Sequence, residues 1–391
     1  MGGIVPMGWA GVSSAPMRNL FAMAVPALFA VPALACTALM ITDTQGNAYS
    51  GKTMEFAARL PFEMVFVPAG TKAGSVAPPG REAVRFETRF PVLGVGVDPG
   101  LGNGTEMMVE ATNDQGLSMN TNELDGSVTP SYPDGGKAGY LAATDLCLYL
   151  LGTCRTVSEV RKALESGEFR VWLPEIALMG NAKAPFHYVF FDRTGSGLVV
   201  EYLEGRQDIH DNPVGVATNA PDFGWHLKNL SNYAFLSNVD KNAGTFGGLK
   251  VEAPDSGSAM ASVPSSQIAA GRFVKAAYYI THARKAGSPD EAVVTLGHIL
   301  NNFDRVDGIS IDRGSGAEGA SRTSESSEVT QFTWMNDKAR NRYYLRTINS
   351  LNFATFEIDR LTTIRRVVKV PLSSINDAAL DGTRVLLDAA K

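Results

Sequence analysis

Ala33-Leu34-Ala35-Cys36-Thr37 is the stretch on which the reading of this chain turns. On its N-terminal side, Met17-Arg18-Asn19 gives a short basic start and Leu20 to Val31 an apolar run broken by Pro26. Ala33-Leu34-Ala35 then has the small-x-small form of a cleavage site. This is the layout of an export signal, and the run is too short to cross a bilayer as a helix. Residues 1–16 read as an upstream extension, with Met17 an alternative start. Cleavage after Ala35 makes Cys36 the first residue of a periplasmic or secreted chain. A terminal cysteine carries a thiol titrating near ~8.5 and an α-amine near ~7.7–8.0. Nucleophile and base then share one residue, a known catalytic pairing. The competing reading is lipidation of Cys36, which would block both groups and anchor the protein to a membrane. Lipoprotein signals favour Leu three places before the cysteine, where this chain has Ala33.

Composition narrows the rest. The chain has 391 residues, 45% of them apolar, enough for a substantial core. Arg18 is the only charged residue among the first 35, so their removal turns the net charge of −5 into −6. That balance argues against nucleic acid or an anionic membrane as the main partner. Cys147 and Cys154 are the other cysteines and read as buried thiols, since a spacing of seven along a helix separates them by about 10 Å. The five histidines show no metal-ligand spacing, and no phosphate-binding loop is visible. No metal or cofactor is expected.

Downstream of Cys36 the chain reads as strands, helices, strands, helices, strands. Thr37–Asp43 and Ala48–Phe56 form a hairpin across Thr44-Gln45-Gly46-Asn47. Glu63–Pro68, Phe86–Val97 and Glu106–Asn122 continue the β pattern, the last turning at Asn113-Asp114-Gln115-Gly116. Tyr140–Leu151 and Val157–Glu165 carry helical spacing. Phe186–Asp192 and Gly197–Leu203 form a second hairpin, and Gln207–Thr218 stays extended. Helices are expected over Trp225–Leu236, Ile268–Lys285 and Asp290–Asn302, a surface loop over residues 313–328, and late strands at Gln331–Trp334, Arg342–Thr347 and Asn352–Asp359. No repeat or linker divides residues 36–391, which points to one α+β domain with two packed sheets and flanking helices.

Four islands, in order, carry a resemblance. They are Cys36-Thr37 followed by Gly51-Lys52-Thr53-Met54-Glu55; Asn113-Asp114-Gln115-Gly116-Leu117; Thr218-Asn219-Ala220-Pro221 with Phe223, His226, Asn229-Leu230 and Asn232-Tyr233; and Gly271-Arg272-Phe273. Together they resemble the choloylglycine hydrolase family, which includes bile salt hydrolases and penicillin V acylases. The resemblance implies the four-layer αββα fold of the N-terminal nucleophile hydrolases, a homotetramer, and hydrolysis of a linear C–N amide bond in a small-molecule substrate. Penicillin V, conjugated bile acids and N-acyl homoserine lactones are the substrate types to consider. An exported chain with Glu55 in place of Asp fits an acylase for an apolar acyl chain or a phenoxyacetyl group better than a bile salt hydrolase.

The resemblance also assigns roles. Cys36 is the nucleophile, passing through an acyl-thioester. Glu55 holds its α-amine; otherwise it is a strand glutamate facing solvent. Lys52 stands where the family usually has Arg beside the thiol. It supplies a cation that favours thiolate but lacks arginine's planar fork, and its bland reading is a surface lysine. Asn219 is the oxyanion donor, against an ordinary turn residue before Ala-Pro. Arg272 belongs near the active centre, against a surface arginine on a helix. The second oxyanion donor, a backbone N–H, falls on Glu123, or on Asn122 if the match slips by one. A glutamate there would disfavour an anionic substrate nearby. Residues 57–62, 125–138 and 177–186 connect strands near the motif ends and are the candidate pocket segments. The contrasting function is a non-catalytic lipoprotein or binding module on the same fold, kept open by Lys52 and Glu123. A self-processing hydrolase is a third reading, and it has no propeptide left to remove if cleavage ends at Cys36.

Overall fold

The computed structural model describes residues 35–132, 138–179, 181–311, 325–375 and 382–391. The expected signal therefore lies outside the described residues except for Ala35, and most of the expected 313–328 loop does too. The main strands, in chain order, are β1 (Ala35–Thr42), β2 (Ala48–Phe56), β3 (Glu63–Val67), β4 (Val92–Val97), β5 (Met107–Asn113), β6 (Ser118–Glu123), β7 (Phe186–Phe191), β8 (Gly197–Leu203), β9 (Arg206–Asp211), β10 (Val216–Ala217), β11 (Val329–Asp337), β12 (Arg342–Thr347), β13 (Ala354–Glu357) and β14 (Val368–Pro371). The helices are α1 (Leu146–Thr153), α2 (Val157–Glu165), α3 (Phe223–Asn229), α4 (Ala269–His282), α5 (Pro289–Asn301) and α6 (Gly382–Ala389).

The expected first hairpin is present. Asp43 closes its turn by accepting from the Gln45 and Asn47 backbone, the Asn47 amide and the Tyr49 hydroxyl. Gly46 takes φ +85° there, a conformation that suits glycine. This hairpin lies inside a six-stranded sheet ordered β10-β1-β2-β11-β12-β13. The remaining strands form an eight-stranded sheet ordered β9-β8-β7-β6-β5-β4-β3-β14. Every named pairing in the two sheets is antiparallel. The sheets meet face to face, where Cys36, Met54, Phe332 and Trp334 share a core with Met107, Val109, Met119 and Phe186. Helices α4 and α5 cover the outer face of the six-stranded sheet, and α1 covers the other. Four layers result, in the order helix, sheet, sheet, helix.

Because both its faces are covered, β2 is buried at every position, including Ser50, Lys52, Thr53 and Glu55. Gly51 shows how close the outer layer comes: a Cβ there would lie 2.6 Å from Trp334 O and 2.7 Å from Leu300 Cδ1 of α5. Polar side chains bridge the two sheets. Lys52 meets Glu110, Trp334 Nε1 donates to Asn120 Oδ1 at 3.1 Å, and Ser50 Oγ lies 3.3 Å from Ser118 Oγ.

Several boundaries differ from expectation. The expected helix Tyr140–Leu151 is a short strand, Gly139–Ala142, paired in parallel with Phe169–Trp172, and then α1. Nearly every residue in that segment is apolar and buried, so neither period stands out. Both Cys147 and Cys154 are free and buried, as expected. Phe86–Val97 splits into Arg85–Glu87 and β4, Trp225–Leu236 is α3 plus a 3-10 turn over Leu230–Tyr233, and Asn352–Asp359 ends in a helical turn at Ile358.

Lys338 is buried beside these bridges and donates to Ser118 Oγ at 2.6 Å, Phe191 O at 3.2 Å and Asn336 Oδ1 at 3.3 Å. Burial pushes its ammonium down to about 7, with Asp192 opposing the shift. Between that value and its ordinary 10.5, the unfolded chain binds more protons than the folded one, so stability rises with pH through the window. Below about 7 the penalty is present in full. The unfolding free energy in urea, taken as wild type minus Lys338→Met, should therefore rise by on the order of 2 kcal/mol between roughly pH 7 and pH 9. A flat difference would remove Lys338 from the pH dependence.

Candidate active site

The β1–β2 register places Cys36 opposite Met54, Ala38 opposite Lys52 and Ala35 opposite Glu55. Alternation along the strands then sends Cys36, Met54 and Lys52 toward the second sheet, and Thr37 and Glu55 toward the helices. The Cys36 side chain is fully buried, with Sγ 3.5 Å from Met54 Sδ. Lys52 Nζ lies 3.6 Å from the same Met54 sulfur and 3.4 Å from Glu110 Oε2. The cation and the thiol are thus within about 7 Å of each other. The surface reading of Lys52 is excluded, since it is 0% exposed.

Burial pushes the Cys36 thiol up to about 11; Lys52 and Arg272 pull it down, and Glu55 and Glu110 add to the rise. Burial also opposes the Lys52 charge, but Cys36, Glu110 and Glu55 outweigh it and hold the ammonium above its usual range. Glu110 is pushed up to about 8 by burial, against the pull of Lys52.

Glu55 does not face solvent either. It is fully buried, and burial raises its carboxyl to about 7 against the pull of Arg272. Its Oε1 accepts from Thr330 Oγ1 at 3.1 Å, while Oε2 is buried with no hydrogen-bond partner.

Arg272, in the first turns of α4, is buried rather than on the surface. It donates through Nη1 to Cys36 O and to Thr37 Oγ1, the latter at 2.8 Å. Through Nη2 it reaches Asn219 Oδ1 at 2.7 Å, and through Nε it reaches Gln267 O at 2.9 Å. Asn219 Oδ1 also accepts from the Cys36 backbone nitrogen at 2.8 Å, which fixes the amide so that Nδ2 donates to Glu123 O at 3.1 Å. Cys36 is therefore held at its nitrogen by Asn219 and at its carbonyl by Arg272. Of the two positions considered for the second oxyanion donor, Glu123 lines the adjoining cavity. Asn122 is turned away and donates to Thr218 O at 2.7 Å.

That cavity holds about 470 Å³ and is lined by Ala35, Glu123, Asp125, Asn219, Arg272 and Arg305, among others. A narrower slot of about 20 Å³ is lined by Met54, Leu60, Phe62, Met107, Leu178, Met179 and Phe186, among others, with Thr121 its one polar residue. Two of the candidate pocket segments, 57–62 and 177–186, contribute to this slot. The third reaches the larger cavity through Asp125, and residues 133–137 of it lie outside the described residues.

Sequence reasoning missed Glu110 and Arg305. Glu110 had a visible signal: it is the only charge in Met107-Met108-Val109-Glu110-Ala111-Thr112. A lone carboxylate in an apolar strand needs a buried cation, and Lys52 supplies it. Arg305 had none, because it follows α5 in a loop and meets Glu328 and Gln267 O only through the fold.

At about 7 Å, the largest separation the two Met54 contacts allow, and an effective dielectric near 20, the Lys52 charge is worth at least roughly 2 kcal/mol to a thiolate, or one to two pH units. In the mature protein, Lys52→Met should raise the pH midpoint of Cys36 alkylation by iodoacetamide by that amount. An unchanged midpoint would leave Lys52 a packing role only.

Comparison with known proteins places this arrangement. The family model described as linear amide C-N hydrolases, choloylglycine hydrolase family, matches residues 36–364. The chain is 27% identical over 327 residues to the conjugated bile acid hydrolase of Lactobacillus acidophilus, covering 83% of this chain and 96% of that protein. It is 23% identical over 251 residues to the penicillin V acylase of Pectobacterium atrosepticum, covering 63% of this chain and 60% of the relative. Among solved structures, a variant of the conjugated bile acid hydrolase from Clostridium perfringens superposes with a TM-score of 0.72 at 22% identity, covering 86% of this chain and 97% of the other. The penicillin V acylase from Agrobacterium tumefaciens gives 0.67 at 20% identity, covering 86% and 92%. These likenesses identify the four layers as the N-terminal nucleophile hydrolase fold. With the family model spanning Cys36 and all the residues gathered around it, the chain belongs to the choloylglycine hydrolase family and is a hydrolase of linear amide C–N bonds.

Proposed function

We propose that this protein is an exported cysteine amidase, matured by removal of residues 1–35 and active in the periplasm or outside the cell. The observation that carries the reading is the double hold on Cys36, Asn219 at its nitrogen and Arg272 at its carbonyl, with Lys52 near the thiol. Once the Ala35–Cys36 bond is cut, that nitrogen becomes an amine. The unpartnered Oε2 of Glu55, on the residue directly opposite Ala35, is an acceptor for the ammonium it forms.

The steps follow from the groups in place. The α-amine takes the Cys36 proton, and Sγ bonds to the substrate carbonyl carbon. The negative charge that develops on the carbonyl oxygen meets Asn219 Nδ2 and the Glu123 backbone N–H, one such donor being worth ~2.7–4 kcal/mol. The C–N bond then breaks, and the departing amine takes the proton from the α-ammonium. Water attacks the acyl-thioester, giving up a proton to the α-amine, and the acid leaves with the thiol restored. Lys52 favours the thiolate, and Glu110 keeps that cation in place between the sheets.

The slot beside Met54 speaks for an apolar acyl group. Three methionines line it, and their flexible thioethers adapt to a chain entering a nearly closed space. At about 20 Å³ the slot has room for about one water as it stands, so an acyl group would enter by displacing the methionines, which a flexible chain or phenoxyacetyl group does more readily than a rigid steroid. A self-complementary assembly, the expected homotetramer, finds support in the projecting hairpin Ala243–Glu252, where Phe246 is 74% and Leu249 63% exposed.

Three measurements test the reading. The intact mass of protein recovered from its own export pathway should begin at an unmodified Cys36; a diacylglyceryl adduct or retained upstream residues would remove the α-amine base. On that protein, penicillin V and a long-chain N-acyl homoserine lactone should be hydrolysed at least tenfold faster than a conjugated bile acid, with Cys36→Ala inactive on all. Turnover of none of the three would leave the substrate class wrong. Light scattering should report a tetramer, and Phe246→Asp with Leu249→Asp should lower the mass; a wild-type monomer would end the assembly proposal.

A further inference from the structure

The two peptide groups that flank the Asn219 Cα are pinned by buried side chains that do not line the cavity beside Cys36. Thr218 O accepts from His187 Nε2 at 3.0 Å and from Asn122 Nδ2 at 2.7 Å. The next carbonyl, Asn219 O, lies 2.8 Å from His226 Nε2. A carbonyl can only accept, so in both histidines Nε2 carries the proton. The histidines are anchored in turn. His187 Nδ1 lies 3.0 Å from Glu201 Oε1, and His226 stacks on Phe273 with ring centroids 4.7 Å apart. Glu201 also accepts from the Phe223 backbone N–H that opens α3, at 2.9 and 3.2 Å, and His210 Nε2 lies 3.6 Å from its other oxygen. His187 and Glu201 are each about 1% exposed.

We infer that His187 is a positioning residue for the Asn219 amide, transmitting to it the rigidity of β7 and β8 through the Thr218 carbonyl. This rests on the oxyanion role proposed for Asn219. The direction of a side chain follows from the backbone that bears it, and an oxyanion donor works only when held at its place before the charge forms. An error of ~1 Å in such a group can cost ~10²-fold in rate. His187 is not among the residues that line the cavity beside Cys36, so its effect should appear in the chemical step alone.

Two substitutions separate its two contacts. The Gln amide nitrogen reaches about where Nε2 sits, and the Asn amide nitrogen about where Nδ1 sits. His187→Gln therefore keeps the donor to Thr218 O, and its kcat should stay within about threefold of wild type. His187→Asn keeps only the Glu201 contact, and its kcat should fall tenfold or more. KM and the rate of Cys36 alkylation should stay within about twofold in both. Asn219→Ala is measured alongside. If it keeps the wild-type rate, the oxyanion reading itself fails. If it collapses while His187→Asn matches wild type, the positioning inference fails. Equal losses in both His187 variants, with KM and alkylation shifted as well, would make the residue merely structural and overturn the inference. Should His187→Asn not fold, His187→Ser removes the same donor to Thr218 O with a smaller side chain; an unchanged kcat there overturns the inference as well.

Discussion

The pairing of Cys36 with Met54 across β1 and β2 is the constraint on which the site depends. A slip of one residue would turn Cys36 toward the helices and Thr37 toward the second sheet, exchanging every side chain of the strand between faces. The register is held from the turn end and from both sides. The Asp43 turn closes one end, β10 and β11 flank the hairpin, and Gly51 fits only where α5 presses against β2. Two faces of one strand then supply different chemistry: Lys52 beside the thiol between the sheets, and Glu55 beside the peptide nitrogen under the helices.

That arrangement puts charges where charges are costly. Lys52, Glu55, Glu110 and Arg272 are all buried, and removing one partner of such a set leaves the others uncompensated. The fold accommodates them by making each a bridge between layers. Lys52 and Glu110 join the two sheets, while Arg272 joins α4 to β1 and to the segment after β10. The unfilled acceptors on Glu55 and Glu110 mark where this accommodation is incomplete.

Much of this was legible in the sequence because local chemistry marks it. Gly46, the Asn113–Gly116 turn and the turn joining Phe186–Asp192 to Gly197–Leu203 define three hairpins that the structure contains. The residues expected at the centre, Cys36, Lys52, Glu55, Asn219 and Arg272, are brought together around one strand. What stayed hidden depends on contacts distant in sequence. The burial of Lys52 and Glu55 reflects coverage of both sheet faces, which an alternating pattern does not report. Glu110 and the His187–Glu201 pair acquire meaning only when β5, β7 and β8 are set against β2 and Thr218. The Tyr140–Leu151 segment misled because a stretch buried on all sides has no polar face to betray its period.

Ala35 lines the same cavity as Asn219 and Arg272. While it is bonded to Cys36, the nitrogen held by Asn219 is an amide, with no basic lone pair to accept a thiol proton. Scission of that one bond would therefore create the base and open a wall of the substrate space in a single event. On the proposed maturation, such a precursor would be latent by covalent structure. The compartment in which the bond is cut would then decide where the first turnover could occur.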